Sequence, residues 1–231
     1  MSSNLDPSIV RLALPKGRMF DQVVDLLKGA GISIRQSERG YRPNISLPFF
    51  SAKILKPRNV ISMLAAGARD LGFAGEDWIQ ETGTELHELL DTGLNPVRLI
   101  VAAPHQLLVD GKLPQKKITI ASEYPETAQR WVAGQGIEAS ILQTFGATEV
   151  FPPEDADCII DNTATGSTLR ANGLHIIDEI MTSSTRLYAS KNAMDNPQIR
   201  NRIEDFAMVI KAVLEAGKRV LMDMTVAQEK L

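Results

Sequence analysis

The recurring alternation of short apolar runs with segments of helical periodicity constrains the fold of this 231-residue chain more than any other feature. Residues 10–14 and 71–75 have the length and apolar character of buried strands, and each run is followed by the start of a predicted helix. Strands that alternate with helices favour an α/β fold, in which helices cover a largely parallel sheet. We therefore predict an α/β protein whose strands are mostly parallel.

Further strands and helices are predicted along the chain. Strands are expected at residues 97–103, 117–121, 139–142, 158–160, 175–177 and 185–189. Helices are expected after residue 18, from Pro57, from Glu76, from Pro125, over 169–172 and after Asn196. A hairpin-like segment is expected over residues 41–55. The inner face of the second helix is expected to carry Val60, Met63 and Leu64.

The overall charge and the scarcity of cysteine and histidine exclude several classes of protein. The formal net charge of −3 gives no basic excess of the kind that non-specific nucleic-acid binding requires. Cys158 has no second cysteine to pair with, and the three histidines show no metal-ligand spacing. The polar first residues lack a secretory signal, and no apolar run approaches the roughly 18 residues of a membrane helix. We therefore predict a cytoplasmic protein with no nucleic-acid or membrane partner.

The strongest functional signal is a hydroxyl-rich loop that follows the predicted strand at residues 158–160. Its residues are Asp161, Asn162, Thr163, Ala164, Thr165, Gly166, Ser167 and Thr168. Gly166 lets the backbone approach a ligand closely, while loop amides and hydroxyl groups suit a phosphate. Asp161, at the strand end, is placed to accept hydrogen bonds from ribose hydroxyls. On these residues alone, a Ser/Thr-rich helix cap is an equal alternative to a ribose-phosphate site.

A second feature suited to anions is the turn after the first strand. Lys16, Gly17 and Arg18 lie between that strand and the N-terminus of a helix. Free backbone N–H groups and the helix dipole make such a turn favourable for an anion. We expect Lys16 and Arg18 to face a polyphosphate, and the alternative is that they are solvated turn cations.

The loop, with the residues that follow it to Gly173, resembles the phosphoribosyl pyrophosphate loop of phosphoribosyltransferases. In its full length it resembles the loop of the ATP phosphoribosyltransferase family, which opens histidine biosynthesis. Other matching stretches, in the same order along the chain, are residues 12–18, 70–75, 120–125 and 146–150. The resemblance runs from about residue 10 to residue 226.

The resemblance implies an enzyme that joins ATP, through N1 of adenine, to phosphoribosyl pyrophosphate, and that releases pyrophosphate with Mg²⁺ present. It implies two α/β lobes like those of type II periplasmic binding proteins, with the site in the cleft between them. Lobe I would comprise residues 1–100 and 181–217, and lobe II residues 101–180. Residues 218–231 resemble the start of a histidine-sensing regulatory domain. This suggests a long-form chain cut after its catalytic core and without histidine feedback.

The resemblance also implies roles for single residues. Asp161 would hold the ribose hydroxyls, and residues 165–168 would hold the 5-phosphate. Lys16 and Arg18 would act on the polyphosphates. Further residues implied to line the substrate site are Asp70, Gly75, Tyr124 and Glu149. For Tyr124 a half-buried strand-end aromatic is the alternative, and for Glu149 a surface carboxylate; no metal ligand is assigned.

The chain departs from the family at the start of the second helix. Many members carry Arg-Pro-Lys-Asp there, whereas this chain has Lys56, Pro57, Arg58 and Asn59. Lysine cannot reproduce the bidentate contact of a guanidinium. Lys56 as a point charge, Arg58 as a replacement, or a different pyrophosphate contact are the three open alternatives.

The expected partners are ATP and phosphoribosyl pyrophosphate. The resemblance implies a homo-oligomer, either a dimer or a hexamer, and a separate regulatory subunit if the chain is a short form. Two other functions stay open: a phosphoribosyltransferase with another acceptor, and a non-enzymatic two-lobed small-molecule-binding domain.

Overall fold

The computed structural model describes residues 6–36 and 40–219. The predicted regulatory tail lies outside this part of the chain from residue 220 onward. Within the described ranges, no helix combines the length and the apolar character that crossing a lipid bilayer demands.

The described residues form an α/β fold, as predicted. Its strands are β1 Val10–Pro15, β2 Ile34–Arg35, β3 Asn44–Ile45, β4 Phe50–Leu55, β5 Leu71–Gly75, β6 His87–Pro104, β7 Ile118–Ser122, β8 Ala139–Gln143, β9 Cys158–Thr163 and β10 Leu174–Ala189. Its helices are α1 Arg18–Gly29, α2 Pro57–Ala65, α3 Glu76–Thr82, α4 Pro125–Gln135, α5 Ser167–Ala171, α6 Lys191–Asp195 and α7 Pro197–Gly217.

The main sheet has eight strands in the order β4-β1-β5-β10-β6-β9-β7-β8. Strands β4, β1 and β5 are parallel on one flank, and β9, β7 and β8 are parallel on the other. In the middle, β10 runs antiparallel to both β5 and β6, and β6 runs antiparallel to β9. The prediction of a mostly parallel sheet is therefore correct for the flanks and wrong for the centre.

The two central strands are longer than their apolar runs. The separate strands predicted at 175–177 and 185–189 are the two ends of β10, and the run at 97–103 is the second half of β6. Polar and charged residues at 178–184 interrupt the apolar pattern, but the ladder between β10 and β6 continues through them with several register shifts. Backbone pairing, which does not depend on apolar side chains, extends both strands.

The hairpin predicted for residues 41–55 does not form. Strand β3 pairs with β2, whereas β4 pairs in parallel with β1, so that Val10 faces Phe50. Strand β4 therefore belongs to the main sheet and β3 to a separate two-stranded ribbon.

The second helix begins at Pro57, as predicted, but one of its inward residues differs from the expectation. Val60, Ile61 and Leu64 are buried, whereas Met63 is 37% exposed. Ile61 and Leu64 lie three positions apart and share one face of the helix, which turns Met63 toward solvent.

The buried apolar residues form separate clusters on the two flanks of the sheet. The largest joins strands β1, β4 and β5 to helices α1 and α7. A second joins β6, β7 and β9 to α4. Because the strands of α/β sheets deliver ligand-binding turns at their carboxyl ends, the turns after β1, β5 and β9 are the parts of this fold that position a site.

Candidate active site

The hydroxyl-rich loop connects β9 to α5. Its glycine, Gly166, adopts a left-handed conformation with φ 71°, which a residue with a side chain rarely adopts. The backbone N–H of Gly166 donates to Thr163 Oγ1 over 3.0 Å. Leu169 is buried in the apolar cluster below. The loop is therefore anchored at both ends.

Between these anchors, the loop presents hydroxyl groups to solvent. Thr165, Ser167 and Thr168 are exposed. The Thr165 hydroxyl donates to Ser167 Oγ over 3.0 Å, and Arg170 Nη1 donates to the Thr165 carbonyl over 3.1 Å. A set of hydroxyls beside a guanidinium suits a phosphate group.

A cavity of about 170 Å³ opens over this loop. It is lined by Arg18, Glu149, Ile159, Asp161, Asn162, Thr163, Ala164, Thr165, Ser167, Thr168 and Leu169. The structure thus brings Arg18, from the turn after β1, and Glu149 to the predicted ribose-phosphate loop. These residues are far apart in the sequence.

A second cavity, of about 240 Å³, shares two of its walls with the first. Its lining comprises Lys16, Arg18, Met19, Pro57, Gly75, Asp77, Trp78, Asn95, Val97, Glu123, Asn162, Ser183, Ser184 and Thr185. Arg18 and Asn162 line both cavities. The predicted residues Lys16 and Gly75 belong to the second one.

The turn after β1 delivers the two predicted cations. Gly17 has φ 85° and ψ −151°, and helix α1 begins directly after it at Arg18. Lys16 and Arg18 are both exposed, and Lys16 Nζ donates to the Tyr41 hydroxyl over 3.1 Å. Two cations at one turn make this side of the cavities favourable for anions.

Asp161 carries the one carboxyl group of the loop at residues 161–168, and the pKa of this group is raised. Burial raises its pKa to about 6, and the carboxylates of Glu123 and Glu149 add to the rise. Hydrogen bonds from the Asn162 N–H and from Thr148 act in the opposite direction. At neutral pH the Asp161 carboxyl is therefore mostly ionised and can accept hydrogen bonds from hydroxyl groups.

Tyr124 lines neither of the two cavities, and its direct role at the nucleotide site stays a prediction. Its side chain is 0% exposed and stacks on Trp78 with ring centroids 4.6 Å apart. The hydroxyl donates to Asp77 Oδ2 over 2.6 Å and accepts from Asn162 Nδ2 over 2.7 Å. Tyr124 is also more buried than the half-buried alternative, because Trp78 covers its ring.

Asp77 and Ser183 are site residues that sequence reasoning missed. In the sequence, Asp77 is an acidic residue in the first turn of a helix, where such residues are common whatever the function. In the structure Asp77 is 4% exposed, and its Oδ1 accepts from Ser183 Oγ over 2.7 Å. A Cβ on Gly75 would overlap Asp77 Oδ1, which explains the glycine before α3. The signal available in the sequence was the pair of carboxylates, Glu76 and Asp77, that follows Gly75.

Asp70 lies at the wrong end of its strand for the predicted substrate contact. It precedes β5, whereas Gly75 at the carboxyl end of β5 lines the second cavity. Both Asp70 oxygens accept hydrogen bonds from Arg11, at 2.6 Å from Nη2 and at 2.7 Å from the backbone N–H. Asp70 therefore fastens β1 to the turn before β5.

The family described as ATP phosphoribosyltransferase (HisG) matches residues 56–212. A curated ATP phosphoribosyltransferase of Chlorobaculum parvum is 34% identical over 222 residues, which are 94% of this chain and 76% of that protein. Another, of Thermodesulfovibrio yellowstonii, is 33% identical over 228 residues, which are 96% of this chain and 78% of that protein.

This chain belongs to the ATP phosphoribosyltransferase family. The solved ATP phosphoribosyl transferase (HisG:HisZ) complex from Thermotoga maritima superposes with a TM-score of 0.79 at 27% identity, over 90% of this chain and 100% of that one. The periplasmic aliphatic sulphonate binding protein SsuA from Escherichia coli has a TM-score of 0.53 at 13% identity, over 92% of this chain and 74% of that one. The second likeness shows the fold alone, and it confirms the predicted periplasmic-binding-protein-like architecture.

The cations at the position where the chain departs from the family lie beside the second cavity. Lys56 and Arg58 both lower the pKa of Glu123, which is raised overall because burial is the larger effect. The Arg58 guanidinium lies 5.9 Å from the ring centroid of Trp78. Glu123 and Trp78 line the second cavity, although Lys56 and Arg58 themselves do not.

The described carboxylates near the loop are not arranged as a set of metal ligands. Across residues 6–36 and 40–219, no group of three or more histidine, cysteine or acidic side chains is arranged to hold a metal ion. The side chains present therefore do not fit a metal held by protein ligands alone.

Proposed function

We propose that this member of the ATP phosphoribosyltransferase family joins N1 of ATP to phosphoribosyl pyrophosphate with release of pyrophosphate, the first step of L-histidine biosynthesis. The observation that carries the proposal is that Arg18 and Asn162 line both cavities and so form a wall between them. A ribose phosphate over the loop at residues 161–168 and a nucleotide in the second cavity would meet at that wall.

The reaction needs positioning more than it needs acid–base chemistry. The N1 lone pair forms a bond to ribose C1, and the C1–oxygen bond breaks with its electron pair leaving on pyrophosphate. Neutral N1 already carries the lone pair, so no general base is required. Holding N1 and C1 in line is therefore the main contribution of the protein.

The loop supplies the ribose-phosphate half of the site. Asp161 accepts hydrogen bonds from the ribose hydroxyls, and its ionised state at neutral pH supports this role. The 5-phosphate lies over residues 165–168, where the exposed hydroxyls of Thr165, Ser167 and Thr168 donate to it. Glu149 borders the same cavity and faces the ribose.

The leaving pyrophosphate lies toward the cations of the turn after β1. Lys16 and Arg18 are exposed at this turn, and Arg18 also lines the cavity over the loop, so both cations stabilise the charge that develops on the leaving group. Arg58, which lies beside Trp78, takes over the contact of the family arginine because its guanidinium can bind two phosphate oxygens. Lys56 contributes a point charge at longer range.

Mg²⁺ is proposed to enter with phosphoribosyl pyrophosphate, since Mg²⁺ commonly keeps several waters and binds through substrate phosphates. When bound, it neutralises part of the pyrophosphate charge. The described residues offer no cage for it, and the roles assigned above to side chains do not depend on it.

The two-lobe division is likewise a proposal. The apolar clusters support it, because one draws on residues 10–73 and 187–210 and another on residues 99–160. We also propose that the chain acts as a homo-oligomer, a dimer or a hexamer. The complex named for the Thermotoga maritima relative makes a regulatory subunit the alternative assembly.

The test is pyrophosphate release in the presence of Mg²⁺, ATP and phosphoribosyl pyrophosphate, with each omitted in turn. Release that requires both substrates, together with a phosphoribosyl-ATP adduct in the mass spectrum, is the expected result. Ligand-induced thermal shifts measured alongside separate binding from turnover. The absence of both thermal shifts and pyrophosphate release would overturn the proposed function.

A further inference from the structure

A buried chain of hydrogen bonds leads from Ser183 through Asp77 and Tyr124 to Asn162. Ser183 Oγ donates to Asp77 Oδ1 over 2.7 Å, and the Tyr124 hydroxyl donates to Asp77 Oδ2 over 2.6 Å. Asn162 Nδ2 then donates to the Tyr124 oxygen over 2.7 Å. The first three side chains are at least 95% buried, so water does not compete for these bonds.

The direction of every bond in this chain is fixed by chemistry. The Tyr124 hydroxyl has one proton, and it donates this proton to Asp77 Oδ2. Burial, with the neighbouring Asp77 charge, raises the pKa of Tyr124 well above its ordinary value of 10.0, which keeps that proton in place. Tyr124 can therefore only accept from Asn162, and Asn162 must turn its NH₂ group toward Tyr124.

With its NH₂ group turned toward Tyr124, Asn162 keeps its carbonyl oxygen, Oδ1, as a possible acceptor for a ligand. Within the described residues, Asn162 Oδ1 is neither a hydrogen-bond acceptor nor one of the buried polar atoms without a partner. Asn162 lines both cavities and follows Asp161, the proposed ribose ligand. The carbonyl oxygen of this amide is therefore available to accept a hydrogen bond from a ligand at the wall that the two cavities share.

The proposed reaction places an amino group at this point. The 6-amino group of adenine is attached to the carbon next to N1, so it comes close to C1 whenever N1 does. As N1 forms its bond, the base becomes positively charged, and the charge is shared with the 6-amino nitrogen. A carbonyl oxygen that accepts from this group becomes more favourable as the transition state develops.

We propose that Asn162 is a specificity-determining residue that accepts a hydrogen bond from the 6-amino group of ATP, and that Asp77 and Tyr124 are positioning residues that fix its amide. The inference rests on the proposed function and names how the same site recognises its base. The negative charge of Asp77, relayed through the Tyr124 hydroxyl, polarises the amide and strengthens its oxygen as an acceptor.

The test compares ATP with purine riboside 5′-triphosphate. This analogue keeps the N1 lone pair and the triphosphate but has hydrogen in place of the 6-amino group. The measured quantity is the ratio of kcat/KM for ATP to kcat/KM for the analogue. The intrinsic difference in N1 reactivity cancels when this ratio is compared between wild type and variants.

Asn162→Leu removes the acceptor at nearly constant size. Its kcat/KM for ATP is expected to fall about 10-fold or more, as for loss of one charge-assisted hydrogen bond, while the analogue changes about twofold at most. Tyr124→Phe frees the Asn162 amide to turn. It is expected to lower the ratio of the two kcat/KM values less than Asn162→Leu does. Asn201→Leu, the same substitution on an exposed face of α7, is the control and should leave the ratio unchanged.

An unchanged ratio in Asn162→Leu, or equal losses with both substrates, would overturn the inference, since a merely structural residue would affect both alike. Dissociation constants for the two triphosphates, measured by calorimetry, give the same ratio without turnover. If wild type binds ATP but forms no adduct, the binding ratio still decides the role of Asn162 independently of turnover. Melting temperatures show whether each variant is folded.

Discussion

The Tyr124 hydroxyl donates to Asp77 Oδ2 across 2.6 Å, although the two residues lie 47 positions apart in the chain. This bond joins the N-terminus of α3 to the turn between β7 and α4, and through Asn162 it reaches the loop after β9. Loops from both flanks of the sheet, which we propose to bind substrate, are therefore held by one buried polar network. Such a network stabilises only while every member keeps its partner.

Gly75→Ala should disturb this network. The added Cβ would overlap Asp77 Oδ1 and lie 3.3 Å from Ser183 Oγ, so Asp77 must leave its partners. We expect a loss of about 1–3 kcal/mol in the free energy of unfolding, together with reduced kcat/KM for ATP. Chemical denaturation and steady-state kinetics measure both.

Gly134→Ala is the matched control for this substitution. Gly134 lies in α4, and a Cβ there meets no atom within 4 Å. Alanine in a helix is expected to stabilise by up to about 1 kcal/mol and to leave activity unchanged. Equal behaviour of the two variants would contradict the account of Gly75.

The pH dependence should reveal the ionisation of Asp161. Because its pKa in the folded protein is about 6, the carboxylate that we propose to hold the ribose is lost as the pH falls through 6. We expect kcat/KM for phosphoribosyl pyrophosphate to fall about tenfold per pH unit below that value. Asp161→Asn should be less active at neutral pH but should lack this decline. Ionisation of the substrate affects both proteins equally, so a decline of equal slope in both would contradict the assignment.

The raised pKa of Asp161 also makes the free energy of unfolding depend on pH. A carboxyl whose pKa is raised on folding favours the protonated form, so its ionisation destabilises the fold as the pH rises from about 4 toward 6. Asp161→Asn should therefore be more stable than wild type at pH 7 and should lose this advantage below about pH 4. Urea denaturation at several pH values tests the sign, and a variant less stable than wild type at pH 7 would contradict it.

Asp70→Asn should separate structure from catalysis. Asp70 is 5% exposed and holds Arg11, so the amide weakens this pair and is expected to cost about 1–3 kcal/mol of unfolding free energy. Below the melting temperature, kcat/KM for both substrates should stay within about twofold of wild type. A large change in KM with unchanged stability would instead support the original prediction of a substrate contact.

Arg58 and Lys56 can be ranked by single substitutions. If Arg58 binds the pyrophosphate, Arg58→Ala should lower kcat/KM for phosphoribosyl pyrophosphate about 10-fold or more, whereas Lys56→Ala should have only a several-fold effect. Arg200→Ala, on the surface of α7, controls for loss of a positive charge. The reverse order would assign the contact to Lys56.

Local features of the site could be predicted from the sequence. The loop from Asp161 to Thr168 and the cations Lys16 and Arg18 follow apolar runs directly, so their chemistry and their place at strand ends could be inferred. Asp70 and Gly75 border the same run, and only the direction of the strand distinguishes them. The carboxyl end of β5 reaches the cavity and the amino end does not.

Contacts between distant segments could not be predicted. Ser183 lies 106 positions from Asp77, in a polar stretch of β10 that gave no strand signal. The burial of Tyr124 depends on Trp78 from another helix. Neither contact follows from periodicity or spacing, because both arise only when the two flanks of the sheet are assembled.

The most direct test of the account is formation of the phosphoribosyl-ATP adduct by wild type and by Asp161→Ala, measured side by side by mass spectrometry. We predict that wild type forms the adduct only when both substrates are present. Asp161→Ala should form the adduct at least about 100-fold more slowly, with a melting temperature that is unchanged or higher. Adduct formation by Asp161→Ala at nearly the wild-type rate would contradict the claim that the loop after β9 holds the ribose.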